Sequence, residues 1–77
     1  MGVLKEMKRM KFVDNIGDIY SIRKNRTGCW AMTCTSASDG RTDDVRWNAQ
    51  PFHSRAEAAM WIRSYANTFH WKELSDD

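Results

Sequence analysis

The segment from Ser54 to His70 constrains the fold more than any other part of the sequence. It contains no Gly or Pro, and Ser54 and Glu57 have the spacing of a capping box. In that motif Ser54 caps the amide of Glu57, and the Glu57 carboxylate reaches back to the amide of Ser54. At about 100° per residue, one apolar stripe contains Ala58, Trp61, Ile62, Tyr65 and Phe69. We therefore predict an amphipathic helix that covers one face of a sheet.

Three segments before this helix alternate apolar and polar residues, as half-buried strands do. They are residues 19–24, 29–36 and 42–48, separated by turn sequences at Asn25–Gly28 and Ser38–Gly40. A fourth strand over residues 7–13 is left open because its alternation is poor. We predict an α+β fold: a three- or four-stranded antiparallel meander with one C-terminal helix packed on one face, β(β)ββα. The predicted core of the sheet consists of Tyr20, Ile22, Trp30, Met32, Val45 and Trp47.

Length limits the size of this core. A chain of 77 residues forms one domain and buries only ~60% of the surface that its unfolded form exposes. We expect a single domain over residues 1–77, with residues 1–6 as a disordered arm and residues 75–77 as a frayed tail. The sequence has no secretion signal and no apolar run long enough to span a membrane. These features predict a cytoplasmic protein without a deep substrate pocket.

The residues that usually carry chemistry are few. Cys29 and Cys34 lie an odd number of positions apart in a predicted strand, so we expect them to face opposite sides and not to pair. With His53 and His70 they have no zinc-finger spacing, and the acidic turn at 39–44 lacks the EF-hand pattern. A dyad of Cys34 and His53 has nothing in the sequence to bring it together. We therefore expect no enzyme, no metal and no cofactor.

Charge is unevenly distributed, although the net charge is only +2. Residues 1–26 contain seven basic and three acidic side chains, whereas residues 27–77 contain five basic and seven acidic ones. On the helix, Met60 and Trp71 project away from the core stripe, a pattern typical of a protein contact. The alternative is that Trp71 lies beyond the helix end and folds back onto the core. The candidate protein-binding residues are Met60, Ser64, Asn67, Trp71, Asp39, Asp43 and Asp44.

The motif Tyr20-x-Ile22, Gly28-x-Trp30 and Phe52-x-Ser54-x-x-Glu57-Ala58-x-x-Trp61-Ile62 resembles the AP2-like, arm-type DNA-binding domains of phage integrases. This resemblance covers residues 18–70 and implies that the open sheet face meets the DNA major groove. It implies contacts from Arg23 and Arg46, joined by Lys24 and Arg41. The same face is expected to hold Ala31, Thr33, Thr35 and Asp44, which makes it less basic than a DNA reader requires. With the N-terminal arm, the candidate nucleic-acid-binding residues are Arg23, Lys24, Arg26, Arg41, Arg46, Lys8, Arg9 and Lys11.

Two functional hypotheses follow. In size and style the chain is also similar to the stand-alone accessory proteins of phages and mobile elements. The first hypothesis is a non-catalytic modulator or inhibitor that covers a host protein of the nucleic-acid or defence machinery, in the host cytoplasm. The alternative is a DNA- or RNA-binding module that uses the open sheet face and the basic arm. We also expect that an unpaired edge of the sheet allows a homodimer.

Overall fold

A computed structural model of the chain describes residues 10–45 and 51–74. This described part of the chain contains five short strands and one helix, and the helix lies in its C-terminal segment. The elements in chain order are β1 (Phe12–Val13), β2 (Ile19–Lys24), β3 (Trp30–Thr35), β4 (Thr42–Asp44), α1 (Arg55–Phe69) and β5 (Lys72–Glu73). The strands form one sheet in the order β4-β3-β2-β1-β5, and all pairs are antiparallel. The predicted α+β class, with an antiparallel meander and one helix, is confirmed.

Apart from a one-residue difference at each end of β3, three strands differ from the sequence-based expectation. The strand expected at 7–13 is reduced to β1, and residues 7–9 lie outside the described part of the chain. The strand expected at 42–48 is β4, with Val45 donating one more backbone hydrogen bond to Met32; Arg46 and Trp47 are outside the described residues, as are the predicted arm and tail. Strand β5 was not expected. It follows the helix and pairs with β1, so β4 and β5 are the edges of the described sheet.

The strand register assigns each side chain to a face of the sheet. Tyr20 is opposite Cys34, and Ile22 is opposite Met32, so these four residues share the face that packs against α1. The other face contains Arg23 opposite Ala31 and Thr33 opposite Asp44. The expectation that Ala31, Thr33, Thr35 and Asp44 share one face is confirmed. The buried hydrophobic core consists of Phe12, Ile22, Met32, Val45, Phe52, Ala58, Ile62 and Ala66.

The β1–β2 turn is organised by one carboxylate. Asp14 Oδ1 accepts hydrogen bonds from the backbone amides of Ile16, Gly17 and Asp18 at 2.9–3.0 Å. Gly17 has a φ of 101°, which a residue with a Cβ adopts only with strain. In the β2–β3 turn Gly28 has a φ of 88°, as the sequence predicts for that hairpin.

Two hydrogen bonds cap the N-terminus of α1: one is accepted by the Ser54 side chain, and the other is donated by the residue before Ser54. The Ser54 hydroxyl accepts from the Glu57 amide at 3.1 Å, as expected. The Glu57 carboxylate, however, accepts from the amide of His53 at 2.9 Å, so the predicted return bond to Ser54 is shifted by one residue. At the other end His70 takes a left-handed conformation, and the Trp71 amide donates to the Ala66 carbonyl at 2.9 Å. This turn directs the chain back to the sheet, where it forms β5.

The helix is rotated relative to the predicted stripe. Its buried residues are Ala58, Ile62 and Ala66, whereas Trp61 and Phe69 retain 40% and 53% of their exposure. The prediction that Trp61 and Phe69 belong to the core is therefore wrong. Within the described residues, no helix is both long enough and apolar enough to cross a membrane.

Candidate functional site

Six aromatic side chains form a continuous row, which we call the aromatic ridge. Its first part lies along α1, where the ring centroids of Trp61 and Tyr65 are 5.9 Å apart and those of Tyr65 and Phe69 are 6.0 Å apart. These spacings fall in the range of favourable aromatic pairs. In order, the ridge contains Phe52, Trp61, Tyr65, Phe69, Trp71 and Tyr20.

The middle of the ridge is exposed and its two ends are anchored. Phe52 is only 3% exposed and exchanges backbone hydrogen bonds with Trp30 at 2.7–2.8 Å. At the other end the rings of Trp71 and Tyr20 stack with their centroids 3.9 Å apart. Between these anchors Trp61 and Phe69 present their rings to solvent. The ridge is therefore a supported apolar surface rather than a set of isolated side chains.

Helical spacing explains why the ridge runs along one flank of α1. Residues four apart in a helix are neighbours on its surface, and Trp61, Tyr65 and Phe69 follow that spacing. Met60 lies beside Trp61 in the chain and is 62% exposed, as predicted. From Ala58 to Phe69 the only charged side chain is Arg63, which pairs with Glu73 at 3.6 Å. Protein interface cores are depleted in charge and enriched in aromatic residues and Met, and this helix segment matches that description.

Trp71 is not part of an exposed helix face with Met60. The helix ends at Phe69, and Trp71 packs on Tyr20 against the core, so the alternative that it folds back is confirmed. Ser64 and Asn67 are exposed on α1; Trp71 lines a cleft together with Asn67 but does not form an exposed helix face with Met60. Sequence reasoning did not predict the exposed aromatic row of Trp61, Tyr65 and Phe69, because it assigned these residues to the core. A signal was present in the parallel column of small residues, since Ala58 and Ala66 are buried in the core.

The end of the ridge formed by Trp71 and Tyr20, called the anchored end from here on, contains a polar cluster. The Tyr20 hydroxyl donates to Asp14 Oδ2 at 3.2 Å. Burial raises the pKa of Tyr20 above its usual value, and the nearby Cys34 and Asp14 add to the increase. Burial also raises the pKa of the Cys34 thiol, with further increases from Asp18, Asp14 and Asp43, against a lowering by the Tyr20 hydrogen bond. Because the thiolate is the nucleophilic form of cysteine, a raised pKa lowers the fraction of Cys34 in that form.

The acidic candidates gather at one end of the sheet but point in different directions. The β1–β2 turn and the β3–β4 turn meet there, where Asp18 accepts a hydrogen bond from the Ala37 amide at 2.8 Å. Asp43 is opposite Cys34 and so lies on the helix side of the sheet, whereas Asp44 is opposite Thr33 on the other side. Asp39 accepts from the Arg41 amide in the loop. Of the two acidic candidates in β4, Asp43 is therefore the one on the same side of the sheet as the ridge.

The basic candidates are dispersed. Arg23 lies on the open sheet face and pairs with Asp44 at 3.4 Å, whereas Lys24 is opposite Trp30 and belongs to the helix side. Arg26 and Arg41 are in turns at opposite ends of the sheet. The Lys11 carbonyl accepts from the Leu74 amide at 2.8 Å. The structure does not gather these residues on one face; Lys8, Arg9 and Arg46 lie outside its described part.

A shallow cleft of about 510 Å³ lies on the other flank of α1, beside β5. Phe12, Ala66 and Trp71 contribute apolar surface, and Asn67 and His70 are at its rim. The Arg63–Glu73 ion pair spans the cleft between helix and strand, with both side chains about half exposed. An exposed pair of this kind contributes little to stability, on the order of 0–1 kcal/mol.

Cys29 and Cys34 are both free thiols. Across residues 10–45 and 51–74, no three His, Cys, Asp or Glu side chains group in a way that could hold a metal ion. In comparisons with known proteins, the chain matched no protein family, no curated protein sequence and no solved structure.

Proposed function

We propose that this protein is a small non-catalytic binding module that attaches to a partner protein through the aromatic ridge and blocks part of its surface. The observation that carries the proposal is the exposure of Trp61 and Phe69 on a helix flank without free charges. Large exposed aromatics cost solubility in a monomer, and in complexes they supply most of the binding free energy. The fold supports them from both ends, so little ordering is needed on binding.

The proposal extends to the biological setting expected from the sequence. We place the protein in the cytoplasm of a host cell, encoded by a phage or mobile element, and acting on host nucleic-acid or defence machinery. A single small domain of this kind acts by covering a site rather than by altering a substrate. The raised pKa of Cys34 supports the non-catalytic interpretation, because it leaves this thiol protonated at neutral pH.

The experiment is a quantitative affinity capture from a host lysate with wild type and ridge variants. The variant Trp61→Ser with Phe69→Ser is expected to weaken capture of every specific partner by about 30-fold or more, the effect of losing aromatic hot spots. Ile16→Ser is the matched control, because Ile16 is 74% exposed but lies in the β1–β2 turn, away from the ridge. It should capture the same proteins as wild type.

A second variant guards against unfolding of the double variant. Met60→Lys places a charge beside Trp61 at an exposed position and is expected to weaken the same captures while leaving the thermal midpoint unchanged. Circular dichroism melts of all variants establish that they fold. The proposal fails if both ridge variants are folded and capture the same partners as wild type in the same amounts.

The nucleic-acid alternative receives less support from the described residues. The Arg23 guanidinium is already paired with Asp44, and Lys24 projects to the other side of the sheet. Its test is a DNA duplex titration at two salt concentrations, because phosphate binding weakens steeply with salt. Binding at low salt that is lost in Arg23→Ala would favour this alternative over the ridge.

A further inference from the structure

Carboxylates outnumber basic side chains in the two turns at the Trp71–Tyr20 end of the aromatic ridge. β4, β3 and β2 lie side by side there, and Asp43, Cys34 and Tyr20 occupy successive positions across them. Neighbouring strands are ~4.8 Å apart, so Asp43 lies ~10 Å from Tyr20 along the sheet. Tyr20 in turn stacks on Trp71, which contacts Phe69. The exposed aromatic surface therefore ends beside a carboxylate.

Two further carboxylates reinforce the negative field at this end. Asp14 and Asp18 lie in the β1–β2 turn, where each accepts a backbone hydrogen bond. The raised pKa of Cys34 responds to Asp14, Asp18 and Asp43 together, which shows that their fields converge on the position beside Tyr20. Arg41 is the basic residue in these turns, and two other described cations are paired elsewhere. Arg23 pairs with Asp44 on the opposite face, and Arg63 pairs with Glu73 on the other flank of the helix.

We propose that the segment recognised by the aromatic ridge is a basic amphipathic peptide of the partner protein, with its apolar side chains on Trp61 and Phe69 and a Lys or Arg side chain beside Asp43. This inference rests on the proposed function. The complementarity is local: charges beyond a Debye length of ~8–10 Å are largely screened, so the net charge of +2 does not oppose it.

The test uses two fluorescein-labelled synthetic peptides with the same Leu and Trp positions. One has Lys at every charged position, and the other has Glu at those positions. Fluorescence anisotropy measures the binding of each to the full chain at low and high salt. We expect the Lys peptide to bind more tightly than the Glu peptide by at least tenfold, with a difference that shrinks as salt rises.

Single carboxylate variants locate the contact. Asp43→Asn is expected to lower the affinity for the Lys peptide by about two- to fivefold, the range of an exposed ion pair. Asp44→Asn is the matched control, since it removes the neighbouring carboxylate on the opposite face of the same strand. It should leave affinity unchanged within error.

The outcomes separate this inference from the proposed function. Equal binding of the two peptides, or equal effects of Asp43→Asn and Asp44→Asn, overturns the preference for a basic segment and leaves the ridge as an apolar docking surface. If neither peptide binds while the ridge variants still lose their captured partners, the inference also fails and the proposed function stands. If the Lys peptide binds Trp61→Ser with Phe69→Ser as tightly as wild type, the site is not on the ridge and the inference is overturned.

Discussion

Two columns of residues run along the same helix and differ in their exposure to solvent. Ala58, Ile62 and Ala66 are buried, although two of them are the smallest side chains available after Gly. In the larger column, on the flank, Trp61 and Phe69 are exposed and Tyr65 is half-buried against the core. The difference teaches that side-chain size alone does not decide burial in this domain. The small alanines at 58 and 66 occupy the buried face of the helix, and the bulky rings lie at its side.

The comparison is tested most strongly by truncating one residue from each column. Ile62→Ala removes a fully buried side chain, and we expect the free energy of unfolding to fall by about 2–5 kcal/mol. Phe69→Ala removes a larger side chain that is half exposed, and the expected loss is about 1 kcal/mol or less. Urea unfolding followed by circular dichroism measures both. Equal losses would mean that the aromatic column is part of the core after all.

Enlarging a residue of the small column tests directly how closely α1 packs against the sheet. Ala66→Leu has to push the helix away from the sheet, so it should lower the free energy of unfolding by about 1–3 kcal/mol despite adding apolar surface. Thr68→Leu makes a similar enlargement at an exposed position of α1, and a change within about 0.5 kcal/mol is expected there. A stabilising Ala66→Leu would show that the interface has spare room.

The smallest expected effect concerns pH at the anchored end of the ridge. Cys34 and Tyr20 have pKa values in the folded state that are raised above their ordinary ones. The unfolded chain therefore releases these protons first, and the folded state loses stability as pH rises above about 8.5–9, the ordinary range of the thiol. Unfolding in urea should be easier at pH 10 than at pH 7.5. Cys34→Ser should reduce that difference between pH 10 and pH 7.5. The same difference in Cys34→Ser as in wild type would contradict the assignment.

Much of the fold was accessible from the sequence, because its signals are local. Strand β2 matches its predicted bounds, and the Ser54 cap and the hairpin glycine follow from the turn and capping rules. The protein-binding candidates were partly right: Met60 is exposed and Asp43 lies on the side of the ridge. These features depend on residues a few positions apart.

What could not be predicted depends on contacts across the molecule. Strand β5 consists of Lys72 and Glu73, two charged residues without any alternation to reveal a strand; it exists because β1 offers an edge. The aromatic stripe was assigned to the core because large apolar residues usually are buried. That assignment is wrong for Trp61 and Phe69, which are exposed, whereas Ala58 and Ile62 of the same stripe are buried and Tyr65 packs against the core.

The pairing of β5 with β1 has a consequence for the time course of folding. Phe12 and Glu73 are register partners although they lie about sixty residues apart, and such contacts form late because the intervening chain must first be closed. Until the helix has docked, β1 has a neighbour on one side only, and its free edge can accept a strand from another molecule. In an incompletely folded chain, β5 of one copy is therefore expected to exchange onto β1 of another, whereas the sheet-edge dimer of the folded protein stays a prediction from the sequence. Slow folding at high concentration would produce it, and rapid folding of dilute chains would not.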